Sequence, residues 1–119
     1  MKNFFLLVAV IFLTVFTGSA QISVVEQQGS TLKIKKLDGS SSYVGIAHWE
    51  FLGYSSSVIA VKSSRDTIKM YDSNGTQTGQ INYIRDDWYF QGVFGNEVRL
   101  KTNTSIRRYS ASGQYIGTL

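Results

Sequence analysis

The chain has no cysteine and no proline, and its only histidine is His48. Without cysteine no disulfide can form, so even an oxidising compartment leaves the fold to packing and hydrogen bonding. Without proline, tight turns must rest on Gly, Ser, Asn and Asp. One histidine and no thiol fall short of the three or four ligands a zinc site needs. Asp72-x-Asn74-Gly75 resembles the start of a calcium loop, but Tyr83 stands where the closing glutamate belongs. No metal or other cofactor is therefore expected. Charge is also sparse. Twelve basic and eight acidic residues are scattered along the chain rather than gathered in a stripe, so a nucleic-acid partner is not expected.

One long apolar run is present, and it comes first. Lys2 precedes Phe4–Phe16, which only Thr14 interrupts, and Gly18-Ser19-Ala20 follows with small residues. That layout predicts a signal peptide over residues 1–20, cleaved after Ala20, and hence an exported protein, periplasmic or extracellular. The run is shorter than the ~20 residues needed to cross a bilayer, and no later run is longer, so no stable membrane insertion is expected after cleavage. The product, residues 21–119, is one domain with a modest core.

That domain reads as all-β. Short segments rich in Val, Ile, Tyr, Thr and Phe alternate with Gly, Ser, Asn and Asp clusters, and no helical periodicity intervenes. Leu32-Lys33-Ile34-Lys35 and Val98-Arg99-Leu100-Lys101 alternate apolar and basic residues, as half-buried strands do. Strands are expected near 22–27, 31–37, 42–47, 50–54, 57–63, 67–72, 77–82, 88–92, 97–102, 105–110 and 115–119.

The segments repeat. Trp49-x-Phe51-x-Gly53 returns as Trp88-x-Phe90-x-Gly92, 39 residues on, and Val61-Lys62 returns as Leu100-Lys101 at the same shift. Ile68-x-x-Tyr71-x-x-x-Gly75-x-x-x-Gly79-x-Ile81 returns as Ile106-x-x-Tyr109-x-x-x-Gly113-x-x-x-Gly117-x-Leu119, shifted by 38. The slip of one residue falls in the Ser63–Asp66 turn, where an insertion is tolerated. Thr31-Leu32-Lys33-Ile34 leads a third copy, with Asp38-Gly39 as its turn and Gly45 as its strand glycine. Grouping the first ten strands in order gives five hairpins. Such hairpins must bury their apolar faces on one another, and a radial, propeller-like array closed by strand 115–119 against the first strand would remove the open edges.

The turn Asp72-Ser73-Asn74-Gly75 followed by Gly79-x-Ile81 resembles that of small exported proteins called five-fold β-flower proteins. The likeness is strongest over Thr67–Ile81 and Ser105–Leu119 and weaker over Thr31–Ile46. It implies a radial fold of five hairpins and supplies no catalytic residues.

Candidate chemistry is thin. No serine stands in a Gly-x-Ser-x-Gly elbow, and the carboxylates Glu50, Asp66, Asp72, Asp86, Asp87 and Glu97 fall mostly in turns. The better lead is aromatic. Trp49, Tyr54, Trp88 and Tyr89 are the candidate binding residues, with Phe51 and Phe90 beside them, because exposed rings stack on sugars or anchor a protein partner. Recurrence of the tryptophans at equivalent repeat positions also fits a packing role. The loop Asn82–Asp87 is longer than its counterpart after Ile46, which makes that rim irregular. Lys33, Lys35, Lys36, Arg99, Lys101, Arg107 and Arg108 read as solvated strand faces, except that Arg108 takes the place of Ile34 and Met70 and needs a partner. Asn74-Gly75-Thr76 and Asn103-Thr104-Ser105 match the glycosylation pattern. The expected function is that of a non-enzymatic binding or structural module, with a glycan or a surface protein as partner. The alternative is a small secreted hydrolase acting on polysaccharide or peptide.

Overall fold

The structure, a computed structural model, describes residues 20–119, so the expected signal peptide lies outside the described residues except for Ala20. The described chain is all strand and turn. Its elements are β1 Ile22–Gln28, β2 Thr31–Lys36, β3 Ser41–Gly45, β4 Glu50–Tyr54, β5 Ile59–Ser64, β6 Thr67–Tyr71, β7 Gln77–Ile81, β8 Tyr89–Phe94, β9 Glu97–Lys101, β10 Ile106–Ser110 and β11 Tyr115–Thr118. All eleven expected strands are present, and every boundary falls within two residues of its expected place.

The pairing differs from the expected five hairpins. The strands form three open antiparallel sheets, β1-β2-β3, β4-β5-β6-β7 and β8-β9-β10-β11. Two of the expected hairpins, β3 with β4 and β7 with β8, are not made. There the chain crosses from one sheet to the next. Both crossovers use the same device. Ala47 and Tyr83 take positive φ, 50° and 60°, without being glycine. Ile46 and Ile84 are buried beside them. Ile46 donates its amide to the Ser30 carbonyl at 2.7 Å, and Ile84 donates to that of Asp66 at 2.9 Å. Each crossover is thus pinned to the β-turn of the sheet it leaves. Strand β11 pairs with β10 and with no other described strand, so closure against β1 is not made.

The middle sheet is buried on both faces. Ile59, Val61 and Tyr71 pack with Leu32, Ile34 and Val44 of the first sheet. Ala60, Ile68 and Met70 pack with Val98, Leu100 and Tyr109 of the last. This explains why Val58-Ile59-Ala60-Val61 is a continuous apolar run whereas β2 and β9 alternate. Each fully buried aliphatic side chain contributes about 1.5–3 kcal/mol.

Glycines let the sheets approach along their last strands. The turn before β7 places Gly75 against Tyr43 and Val44 of β3, with the Tyr43 carbonyl oxygen 3.0 Å from where a Cβ would stand. The turn before β11 places Gly113 against Gln80 of β7, and Gly79 faces Ser112 in return. Thr78 donates its hydroxyl to the Ala111 carbonyl across the same contact at 2.7 Å.

Arg108 finds its partner on the outer face of the last sheet. The Glu97 carboxylate accepts from Arg108 Nε at 2.9 Å and Nη2 at 2.8 Å, and from Arg99 Nε at 2.6 Å. Arg99 and Arg108 face each other across β9 and β10, so Glu97 also relieves their repulsion. Hydrogen bonds from Arg108 and then Arg99 hold the Glu97 carboxyl down at about 2, below its ordinary 4.5. Hydrogen bonds from the Ser40 hydroxyl and amide likewise lower Asp38.

The depressed Glu97 value fixes an acid limit. The folded chain takes up this proton less readily than the unfolded chain. The stabilisation is therefore complete above about pH 4.5 and is lost as the pH falls toward about 2. Thermal melting followed across that window should show a steep loss for the natural chain. Glu97→Gln should melt lower at neutral pH and respond less to acid, keeping only the slope that Asp38 and other carboxylates supply. Equal slopes would show that Glu97 is not the group that matters.

Candidate functional site

The four aromatic candidates do not form one site. Trp49 and Trp88 stand just before β4 and β8 and pack, half-buried, against the first and second cores. Each lies under a cation from the third strand of its own sheet. Lys69 Nζ is 4.6 Å from the Trp49 ring centre, and Arg107 Cζ is 4.9 Å from that of Trp88. Because the pair recurs with the repeat, it belongs first to the fold. Tyr54 stacks near Phe51, with ring centres 6.2 Å apart and planes 18° from parallel. Tyr89 is 58% exposed at the start of β8.

What distinguishes Trp88 is its surroundings. It lines two open clefts. One, of about 410 Å³, lies between Trp88, Arg85, Arg107 and the Thr102–Ser105 turn. The other, of about 360 Å³, joins Trp88 and Tyr89 to Phe51, Phe90, Glu50 and Lys62. Neither Trp49 nor Tyr54 lines either one. The structure therefore brings together Trp88 and Tyr89 and leaves the other two candidates apart.

The parts of the first cleft that do not recur in the repeat come from local elaborations. The longer crossover between β7 and β8 supplies Arg85 and Asp87. The Trp88 amide donates to the Arg85 carbonyl at 3.0 Å, which closes that loop into a turn. On the opposite wall, Thr102 Oγ1 accepts from the amides of Thr104 and Ser105 at 3.3 and 3.1 Å, a compact ST-turn. Asn103 Nδ2 donates to Asp87 Oδ2 at 3.3 Å and ties the two walls together. Asn103 is thus engaged at the cleft, and Asn74, the other glycosylation candidate, accepts from Lys36 Nζ at 2.6 Å.

Arg107 has a set orientation. Its guanidinium lies 4.9 Å from Trp88, 4.3 Å from Tyr115 and 5.7 Å from Tyr109. Its Nε donates to the Tyr109 hydroxyl at 2.8 Å. The sequence reading placed Arg107 among solvated strand residues and did not single out Arg85. The irregular loop at 82–87 was the signal that pointed to this end of the molecule.

Each cleft is lined by one carboxylate, Asp87 in the first and Glu50 in the second. His48 is exposed on the first crossover. A scan against protein-family models finds no family that matches the chain, and a search of curated proteins finds no match either.

Proposed function

We propose that this chain is an exported, non-enzymatic binding module that holds a saccharide ligand on the rim around Trp88 and Tyr89. The observation that carries the reading is that one tryptophan is shared by two adjoining open clefts. Its flanking tyrosine is exposed beside it. A flat ring between shallow polar clefts suits a sugar face above it and hydroxyl partners at either side. A single carboxylate in each cleft supports binding over hydrolysis, since glycosidases work with two across the scissile bond. A radial, β-flower-type arrangement of the sheets is part of the same reading. Its support is that each later sheet sets a glycine turn on the last strand of the sheet before it.

The test is an oligosaccharide titration followed by tryptophan fluorescence, in a Trp49→Phe background so that Trp88 alone reports. Binding should perturb the emission. Tyr89→Ala, at an exposed position that packing does not need, should weaken binding by about tenfold, and Trp88→Phe, measured by calorimetry because no tryptophan then remains to report, by about as much. Tyr54→Ala should leave it unchanged. Turnover of the oligosaccharide, or binding indifferent to Tyr89 and Trp88, would overturn the proposal.

A further inference from the structure

We infer that the ligand is an acidic saccharide, and that Arg107 and Arg85 receive its carboxylate or sulfate group while the sugar ring lies on Trp88. The inference rests on the Trp88 rim being the binding site, and it specifies the chemistry of what binds there.

Arg107 is the central observation. Among the described residues Arg99 and Arg108 share Glu97, Arg65 meets Asp86, and Lys35 meets Glu26, while Lys36 bonds the Asn74 side chain and Lys69 covers Trp49 without a carboxylate. Arg107 meets none. It is held instead by aromatic rings and by the bond from Nε to Tyr109. Those contacts occupy the guanidinium faces and Nε. They leave its two terminal nitrogens without a hydrogen-bond partner among the described residues. A planar fork held still with its donors free is prepared for two parallel hydrogen bonds to one anionic group. Little side-chain entropy is left to lose on binding.

Arg85 adds a second cation to the same cleft, exposed and without a carboxylate partner among the described residues. The one acid lining the cleft, Asp87, accepts from the Asn103 amide. The cleft thus carries two arginines against one carboxylate that is already engaged. The equivalent position in the middle sheet makes the contrast. There Lys69 covers Trp49 with a compact ammonium, which serves the packing role without a fork. Arginine at 107 exceeds what the fold requires. The adjoining cleft pairs Glu50 and Lys62 in β4–β5 register and adds Tyr89, so it suits an uncharged stretch of the same chain.

Binding can be measured with three oligosaccharides of equal length: oligogalacturonate, a sulfated oligosaccharide and a neutral maltooligosaccharide. An oligothymidylate serves as a polyanion without sugar-face character. One of the two acidic sugars should bind at least about tenfold more tightly than the neutral one, and which of them does so tells carboxylate from sulfate. Arg107→Lys keeps the cation over Trp88 in the manner of Lys69 and so keeps the fold. It should still lose about tenfold to a hundredfold in acidic-sugar affinity. Arg85→Gln should weaken acidic binding and flatten its dependence on salt. Equal binding of neutral and acidic sugars, or acidic binding unchanged in both variants, would overturn this inference and leave the Trp88 site standing. No binding by any sugar would remove both. Tighter binding of the oligothymidylate would assign the cleft to nucleic acid instead.

Discussion

Alanine at Gly113 is expected to destabilise the chain by about 2–5 kcal/mol, whereas alanine at Gly39 should cost only about 1–2 kcal/mol. The two glycines occupy the same place in equivalent turns. Their φ angles are 87° and 89°, and each donates its amide to the carbonyl three residues before, Ser110 or Lys36, at 2.9 and 3.0 Å. Both substitutions meet the same left-handed backbone penalty. They differ in what surrounds the added methyl group. At Gly39 nothing lies within 4 Å. At Gly113 the methyl would fall on the Gln80 carbonyl oxygen, far inside contact distance, and the obstacle is backbone rather than a side chain that could swing away. Either β11 and its turn lift from β7, or the turn rearranges. A domain of roughly 100 residues has about 5–15 kcal/mol to lose, so Gly113→Ala should shift the urea midpoint far and Gly39→Ala modestly. Gly79→Ala should also be severe, because its methyl would strike Ser112 from the other side. Equal midpoints for the Gly39 and Gly113 variants would mean that the last sheet does not pack on β7 as described.

The strands were legible because alternation and turn dipeptides are local signals. Lys33 and Lys35 alternating with Leu32 and Ile34 fix a half-buried strand without any knowledge of its neighbours. The pairing was not legible, because it depends on which connections fold back and which cross over. Ala47 and Tyr83 take positive φ without glycine, so nothing in the residue types marks them as crossovers. The strand glycines misled in one place. Register sets Gly79 opposite Met70 and Gly117 opposite Arg108, but it sets Ser42, not Gly45, opposite Ile34. The longer spacing from Gly39 to Gly45 was the trace of that difference. The partner of Arg108 lies eleven residues earlier on a neighbouring strand, a relation that only register reveals.

The site divided in the same way. Trp88 and Tyr89 were visible as aromatic residues, but Trp49 had the same credentials. The two tryptophans separate only when the clefts are built, because Arg85 arrives from a loop and Tyr115 from a strand that lies far along the chain. Repetition helped after the fold was known. The cation over the tryptophan recurs and is structural, and what fails to recur is where function is to be sought.

The second large effect concerns Met70 and Arg108, which hold one register position in two sheets. Met70→Arg should abolish the fold, and Arg108→Met should not. Met70 is fully buried between the middle and last sheets. An arginine there would lose the packing of the methionine, worth about 2–5 kcal/mol when truncated. It would also bury a charge, and no carboxylate is among the buried residues of that core. Burying an uncompensated charge costs several kcal/mol more. Together these terms match the whole stability of the domain. Arg108 faces outward with a third of its side chain exposed, so its replacement creates no cavity. Glu97 would keep Arg99, and the chain should fold with a smaller loss. The consequence of Arg108→Met should appear instead in association. The outer face would then carry methionine in line with Ile106, as the middle sheet carries Met70 in line with Ile68, and a face of that kind packs on another sheet. Circular dichroism should report an unfolded Met70→Arg chain and a folded Arg108→Met chain, and sedimentation should show the latter self-associating as concentration rises. The charged cluster on the last sheet is then what ends the stack, because a terminal repeat needs a polar outer face where interior repeats have an apolar one. A folded Met70→Arg chain would show that the middle and last sheets do not share the core assigned to them.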